Sequence, residues 1–196
     1  IHRRPELGFQ EFETARLAAD RMRSLGARVR TGVGITGVIA DLGSEEAGRP
    51  CLAIRADMDA LPILEASDAQ YASEVPGVMH ACGHDAHTAM ALGAATLLTQ
   101  RGFPGTLRIL IQPSEEANDE ESLSGAPRMI QDGAMEGVRQ VIALHVDATE
   151  PAGTISIDSG PASGGVDSFF AAVTGHGGHG ASPQRTVDPV YLTAHV

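Results

Sequence analysis

Nine consecutive positions, 79–87, read MHACGHDAH and gather three histidines, a cysteine and an aspartate. Cys82 and His84 are two residues apart, so in extended chain their side chains leave the backbone on the same side. Thiolate and imidazole are the donors preferred by zinc and other borderline-soft divalent ions. A polar turn leading into a helix would explain one such cluster. Further groups of the same kind make that reading weaker. Asp57 and Asp59 follow an apolar run, Glu115 and Glu116 follow another, and His145 is the one polar side chain in residues 141–146. A glycine-dense stretch at 175–183 carries His179, the side chain there suited to chemistry. Each has a plainer explanation: Asp57 and Asp59 as turn formers before Pro62, the glutamates as part of a solvated acidic patch, His145 as a satisfied core residue, His179 as an incidental loop histidine.

The elements needed to position these groups can be read from periodicity. Residues 9–25 place Phe9, Phe12, Leu17, Met22 and Leu25 near one helical face, and Gly26 is a natural stop. That helix reads as scaffold. Residues 37–42 and 51–56 read as strands, the second apolar enough to be buried on both faces. Residues 88–100 predict a helix with Asp85 as its N-cap, which would set the cluster at a helix N-terminus, where a thiolate is stabilised. A strand at 107–112, a short helix at 125–131 and a strand at 141–146 follow. Residues 63–78 read as a surface loop, and the acids from Asp119 to Glu121 as a solvated patch.

Strands and helices alternating in this way imply an α/β fold: a mostly parallel sheet flanked by helices. Such folds bind ligands beyond the carboxyl ends of their strands. Four strand or helix ends then offer Asp57 and Asp59, Cys82 and His84, Glu115 and Glu116, and His145 to one site. Beyond Gly153 the pattern changes. Strands are expected at 154–157 and 168–174, a hinge at 159–165, and a helix from Pro189 capped by Asp188. The domain expectation is 1–163 for the first domain and 164–196 for the start of a second.

The 196 residues carry a formal net charge of −11 and two cysteines. The acidic balance argues against a nucleic-acid partner, which needs a basic face. No run approaches the roughly 20 apolar residues of a membrane span, and no signal peptide is visible. A disulfide between Cys51 and Cys82 is allowed by count, but a reduced cytoplasmic setting with Cys82 as a ligand fits better. The chain starts without Met and stops inside its last helix, so truncation at both ends is expected. A mixed donor set drawn from distant strands suits two divalent cations better than one structural zinc. Two ions about 3.5–4 Å apart polarise a carbonyl and acidify a water, with a glutamate as general base. That chemistry is hydrolysis of an amide, ester or similar bond.

Five motifs in order, RADMDALP (55–62), HACGHDAH (80–87), QPSEE (112–116), ALHV (143–146) and GGHGA (177–181), give the chain a close resemblance to the aminoacylase/carboxypeptidase family of dinuclear metallopeptidases. It is most similar to the amidohydrolase branch, with hippurate hydrolases, N-acyl-L-amino-acid amidohydrolases and auxin-conjugate hydrolases. The resemblance implies Cys82, His84, Glu116 and His145 as metal ligands. It implies Glu115 as the general base that activates the metal-bound water, and Asp59 as the carboxylate that orients a ligand. His179 would reach from a ferredoxin-like α+β lid domain, across a dimer interface, to the substrate carboxylate or oxyanion. The expected substrate is a small N-acyl amino acid or peptide, and the expected cofactors are two divalent ions, Zn or Mn, with Co or Ni also suited. A last histidine ligand is expected beyond Val196. Three positions depart from the wider family: Asp57 stands where it has a histidine ligand (a change the amidohydrolase branch shares, with Cys82 compensating), residues 118–124 are longer and more acidic, and Gln184 stands where a histidine is common. The competing expectation is a binding protein on the same fold that has lost turnover. A plain structural zinc domain is a third, and would bind one ion and unfold on chelation.

Overall fold

The structure is a computed structural model that describes residues 1–44, 50–157, 159–161, 164–165 and 169–195. The chain divides into two compact units, Ile1–Glu150 and Pro151–Val196. The expected boundary at Ser163 lies outside the described residues.

The first unit is built on one five-stranded sheet in the order β1-β2-β4-β3-β5. Its strands are β1 (Arg28–Val33), β2 (Gly37–Gly43), β3 (Cys51–Asp57), β4 (Thr106–Gln112) and β5 (Val138–Ala143). β3 runs parallel to both β4 and β5, as the α/β expectation requires. β1 pairs antiparallel with β2, and β2 antiparallel with β4, so the sheet as a whole is mixed. The short turn between β1 and β2 leaves no room for the crossover that a parallel pair needs. β1 was not legible in advance. Its sequence, RVRTGV, alternates weakly and only Val33 is buried.

The helices α1 (Phe12–Ser24), α2 (His84–Arg101) and α3 (Gly125–Gln131) complete the unit. Strand alternation sorts the core into two layers. Val38, Ala40 and Leu42 of β2 with Leu107, Ile109 and Ile111 of β4 face Ala15, Ala18, Ala19 and Met22 of α1 and Ala91 and Ala95 of α2. Ile39, Ala53 and Leu110 point the other way, onto Met129 of α3 and Ala134. The small alanines let the two helices lie close to the sheet.

This layering fixes where a site can form. α2 leaves the end of β3 over one face, and α3 leaves the end of β4 over the other. The adjacent carboxyl ends of β3 and β4 therefore open a crevice, the switch point where open α/β sheets bind ligands.

Three local expectations are corrected. α2 begins at His84, after Gly83 in left-handed conformation, so Asp85 lies in the first turn and is not the cap. The Asp85 carboxylate instead meets His2 Nδ1 at 2.8 Å. β5 ends at Ala143, which puts His145 just past the strand. Asp119 is no free surface acid: it accepts the N–H groups of Glu121 and Leu123 and pairs with Arg128, folding its own loop.

In the second unit the described parts of 154–157 and 168–174 form no strand, and Ser168 lies outside the described residues. α4 (Pro189–Thr193) forms as expected, the Asp188 side chain accepting from Val190 N at 2.9 Å and Tyr191 N at 3.4 Å. His176 and Val187 form a two-residue antiparallel bridge. Among the described residues no helix is long and apolar enough to cross a membrane.

Candidate metal centre

The carboxyl ends of β3 and β4 lie beside most of the residues singled out above, all of them in the first unit. β3 ends at Asp57, and Asp59 follows two residues on; both are 1 % exposed. α2 places His84 and His87 one helical turn apart, on the face toward the crevice, 1 % and 2 % exposed. Thr88 Oγ1 donates to the Asp57 carbonyl at 2.9 Å and pins the helix to the strand. Cys82 arrives from the loop before α2, Glu115 and Glu116 from the turn after β4, and His145 from the chain beyond β5.

Hydrogen bonds decide which nitrogens remain free for an ion. His84 Nδ1 lies 3.0 Å from Asp59 Oδ1, so it carries the hydrogen. His84 Nε2 is buried and has no hydrogen-bond partner. It lies 3.8 Å from Glu116 Oε1 and 3.7 Å from Asp57 Oδ2. His145 Nδ1 donates to the Val146 carbonyl at 2.7 Å. That leaves its Nε2 lone pair facing Cys82 Sγ, 3.4 Å away. One donor atom each from Cys82, His84 and His145 lie within 4.8 Å of one another, as do those from His84, Glu115 and Glu116. His84 belongs to both groups. The orphaned buried nitrogen of His84 fits a ligand to one cation, and the number of other donors around it leaves room for a second.

Asp57, His84 and His87 also lie close together, but Asp57 and His87 are already engaged. His87 Nδ1 donates to Asp57 Oδ1 at 2.6 Å, and His87 Nε2 accepts the Val146 N–H at 2.9 Å. Asp57 Oδ2 pairs with Arg55 at 2.7 Å. With these bonds made, Asp57 and His87 form a brace running from β3 through α2 to the backbone beside His145. The sequence reading gave His87 no role. Its i, i+3 spacing from His84 was the available signal.

The charges fit the same assignment. Burial pushes the Asp57 carboxyl up, but the His87 hydrogen bond and the Arg55 and His84 charges outweigh it and hold it below the usual range. Asp59 behaves alike, through His84 and the N–H groups of Glu116 and Glu115. For His84, burial is outweighed by Asp59, Asp57 and Glu116, and the net shift is upward. Burial, then Glu116, Glu115 and Asp57, push the Cys82 thiol up to about 11. A cation placed among these donors reverses that logic and favours the thiolate. Both cysteines are free.

Two backbone features set the close approaches. Asp59 Oδ2 accepts the Glu116 N–H at 2.9 Å, so one carboxylate orients both His84 and the Glu116 backbone. Gly83 has φ +80°, and a Cβ there would come within 2.3 Å of Val146 Cγ2. Only glycine lets the Cys82 loop meet the chain that carries His145.

His179 lies in the second unit. Its Nδ1 accepts the Ala181 N–H at 3.2 Å, which leaves Nε2 as the donor. With His176, Thr186 and Asp188 it lines an open hollow of about 540 Å³.

The chain is similar to known proteins over its whole length. The chain is 42 % identical over 199 residues to thermostable carboxypeptidase 2 of Saccharolobus solfataricus, covering 100 % of this chain and 50 % of that one. It is 42 % identical over 192 residues to N-acetyl-L-cysteine deacetylase of Bacillus subtilis, covering 97 % and 45 %. The chain thus spans about half the length of these curated relatives. Among solved structures, Bacillus subtilis YXEP, described as a dinuclear metal binding peptidase from the M20 family, superposes with a TM-score of 0.74 at 40 % identity, over 82 % of this chain and 44 % of that one. Residues 53–194, which include Cys82, His84, Glu116 and His145, match the profile of Peptidase family M20/M25/M40, and the chain belongs to that family.

Proposed function

We propose that the protein is a dinuclear metal-dependent amidohydrolase that cleaves the amide bond of N-acyl amino acids or small peptides. The observation that carries this reading is the buried, partnerless Nε2 of His84, a residue whose donor atoms lie within 4.8 Å of those of Cys82 and His145 and of those of Glu115 and Glu116. Cys82, His84, Glu116 and His145 would hold two divalent ions; zinc, manganese, cobalt and nickel all suit these donors. Such ions polarise an amide carbonyl and make a neighbouring water more acidic.

The chain's own groups supply the rest. Glu115 takes the proton from the attacking water and passes it to the departing amine nitrogen. Asp59 holds His84 by Nδ1 and thereby fixes the direction of its Nε2. His179, with its Nε2–H free to donate, receives the substrate carboxylate or the oxyanion. Residues 164–196 begin the lid that carries it, and the active form is a dimer joined through that lid. The free cysteines agree with a cytoplasmic setting. The two relatives, a carboxypeptidase and an N-acetyl-L-cysteine deacetylase by name, support a small amide substrate.

The test is release of free amino acid from N-acetyl, N-benzoyl and dipeptide substrates by the full-length protein, with and without chelator, beside Glu115→Gln. Release that the chelator stops, and that Glu115→Gln lacks while still binding two ions, supports the reading. No release across the panel with two ions bound would favour a binding protein on the same fold.

A further inference from the structure

We propose that the segment 1–11, and Glu11 above all, is a positioning element for the metal centre: the buried Glu11 carboxylate fixes the turn that presents Glu115 and Glu116. This rests on the roles proposed above for those two glutamates and goes beyond them, since nothing in the chemistry requires a residue more than a hundred positions away.

Glu11 sits at the start of α1, where a glutamate would ordinarily face water, yet its exposure is 0 %. It does not cap the helix. That task falls to Glu6, whose carboxylate accepts the N–H groups of Glu13 and Thr14. Glu11 instead turns inward. Its Oε1 accepts the Ser114 N–H at 2.7 Å and its Oε2 accepts the Thr36 hydroxyl at 2.5 Å. Ser114 has φ +39°, a conformation that persists only where its surroundings impose it. Two residues on, the Glu116 N–H goes to Asp59. The turn is therefore gripped at both ends by buried carboxylates: Asp59, which belongs to the site, and Glu11, which does not.

The rest of the segment grips the other site-bearing loops. A Cβ on Gly8 would come within 2.3 Å of Ser114 Oγ, so Gly8 lets the segment lie directly against the turn. The Glu6 carbonyl accepts the Ala60 N–H at 2.8 Å, next to Asp59, and Leu7 bridges Ala60. His2 meets Asp85 beside His84. Through His2, Glu6, Leu7, Gly8 and Glu11 the segment thus touches the chain after β3, the chain after β4 and the first turn of α2.

The experiment uses the full-length protein loaded with cobalt(II), which reports ligand geometry by its visible absorption, and compares Glu11→Ala, Glu11→Gln and Gly8→Ala. Glu11→Ala is expected to lower kcat about 10–100-fold and weaken one of the two cobalt ions by about tenfold, as loss of an outer hydrogen-bond partner does. KM should change little, and the cobalt spectrum should shift. Glu11→Gln keeps an oxygen for the Ser114 N–H and should restore most of both. Gly8→Ala pushes on the turn without touching Glu11 and should move kcat and cobalt affinity the same way. If Glu11→Ala and Gly8→Ala bind cobalt with wild-type affinity and spectrum and lose only thermal stability, the segment is plain scaffold and the inference fails. Should Glu11→Ala not fold, Gly8→Ala and Glu11→Gln decide by the same readouts. A Glu115→Gln variant with full turnover would instead sink the proposed function, and is distinguishable because cobalt affinity alone still reports the Glu116 side of the turn.

Discussion

The two sides of the donor cluster are held by different means. On one side Asp57, Asp59, His84 and His87 are almost wholly buried, and each is locked by side-chain hydrogen bonds. On the other side Glu115, Glu116 and His145 are exposed and Cys82 is half-buried. Exposed side chains keep a geometry poorly by themselves, because water offers them alternative partners. Here the buried side steadies them through the backbone: Asp59 takes the Glu116 N–H, and His87 takes the Val146 N–H beside His145. On the proposed function, the buried side contributes His84 and the orientation of its neighbours, and the exposed side the groups that meet substrate.

If that division is right, changes on the two sides should separate turnover from binding and stability. The largest effect belongs to the exposed side. Glu115→Gln should lower kcat by about 10²–10⁴-fold, the usual contribution of a general base, with melting temperature and bound ions unchanged. Coupled losses of activity and ions would break the comparison. Next comes Asp59→Asn. An amide group there serves His84 Nδ1 and the Glu116 N–H less well than the carboxylate, so ion affinity should fall about 10–100-fold by titration calorimetry.

A smaller effect is expected at His87→Leu. It strands the Val146 N–H and removes a partner from buried Asp57, which should destabilise the fold by about 1–3 kcal/mol in denaturant unfolding. The smallest prediction concerns pH. Burial raises the Glu11 carboxyl above its ordinary 4.5, more than Thr36 and the Ser114 N–H lower it. Below that ordinary value both folded and unfolded states hold the proton. As pH climbs from there through the folded value, the unfolded chain releases its proton first, and Glu11's contribution to stability is lost. Glu11→Gln should therefore gain on the wild type as pH rises through this window, in unfolding free energies measured against pH. A constant difference across it would place the titration elsewhere.

Much of the site was legible because its groups sit at the ends of apolar runs. Asp57 and Asp59, Glu115 and Glu116 each follow a strand whose composition shows it, and residues 79–87 concentrate their own signal. β1 and the exact end of β5 were not legible, since half-exposed strands with arginines lack a clean alternation. The cap of α2 was misplaced because Asp85 is a good cap by type, while the long-range pull of His2 on its carboxylate leaves no trace in local sequence. Glu11 was invisible for a related reason. A glutamate in a charged helix reads as solvated, and only the fold brings Ser114 and Thr36 to it. The second unit was the least legible. Residues 169–174 are apolar and β-branched or aromatic enough to suggest a strand, but a strand also needs a partner to pair with.

The bond between Glu11 and Ser114 spans 103 residues of chain. It is thus among the contacts of highest sequence separation, and its closure carries a loop-entropy cost that local helices and the β1–β2 hairpin do not. During synthesis the hairpin and α1 can form long before residue 114 has emerged, whereas the turn carrying Glu115 and Glu116 cannot be seated until then. The turn carrying Glu115 and Glu116 is accordingly ordered after α1 and the β1–β2 hairpin. Cys82 and His84 can be gathered before that, but the two acids of the turn are held in place only once it has closed on residues 1–11.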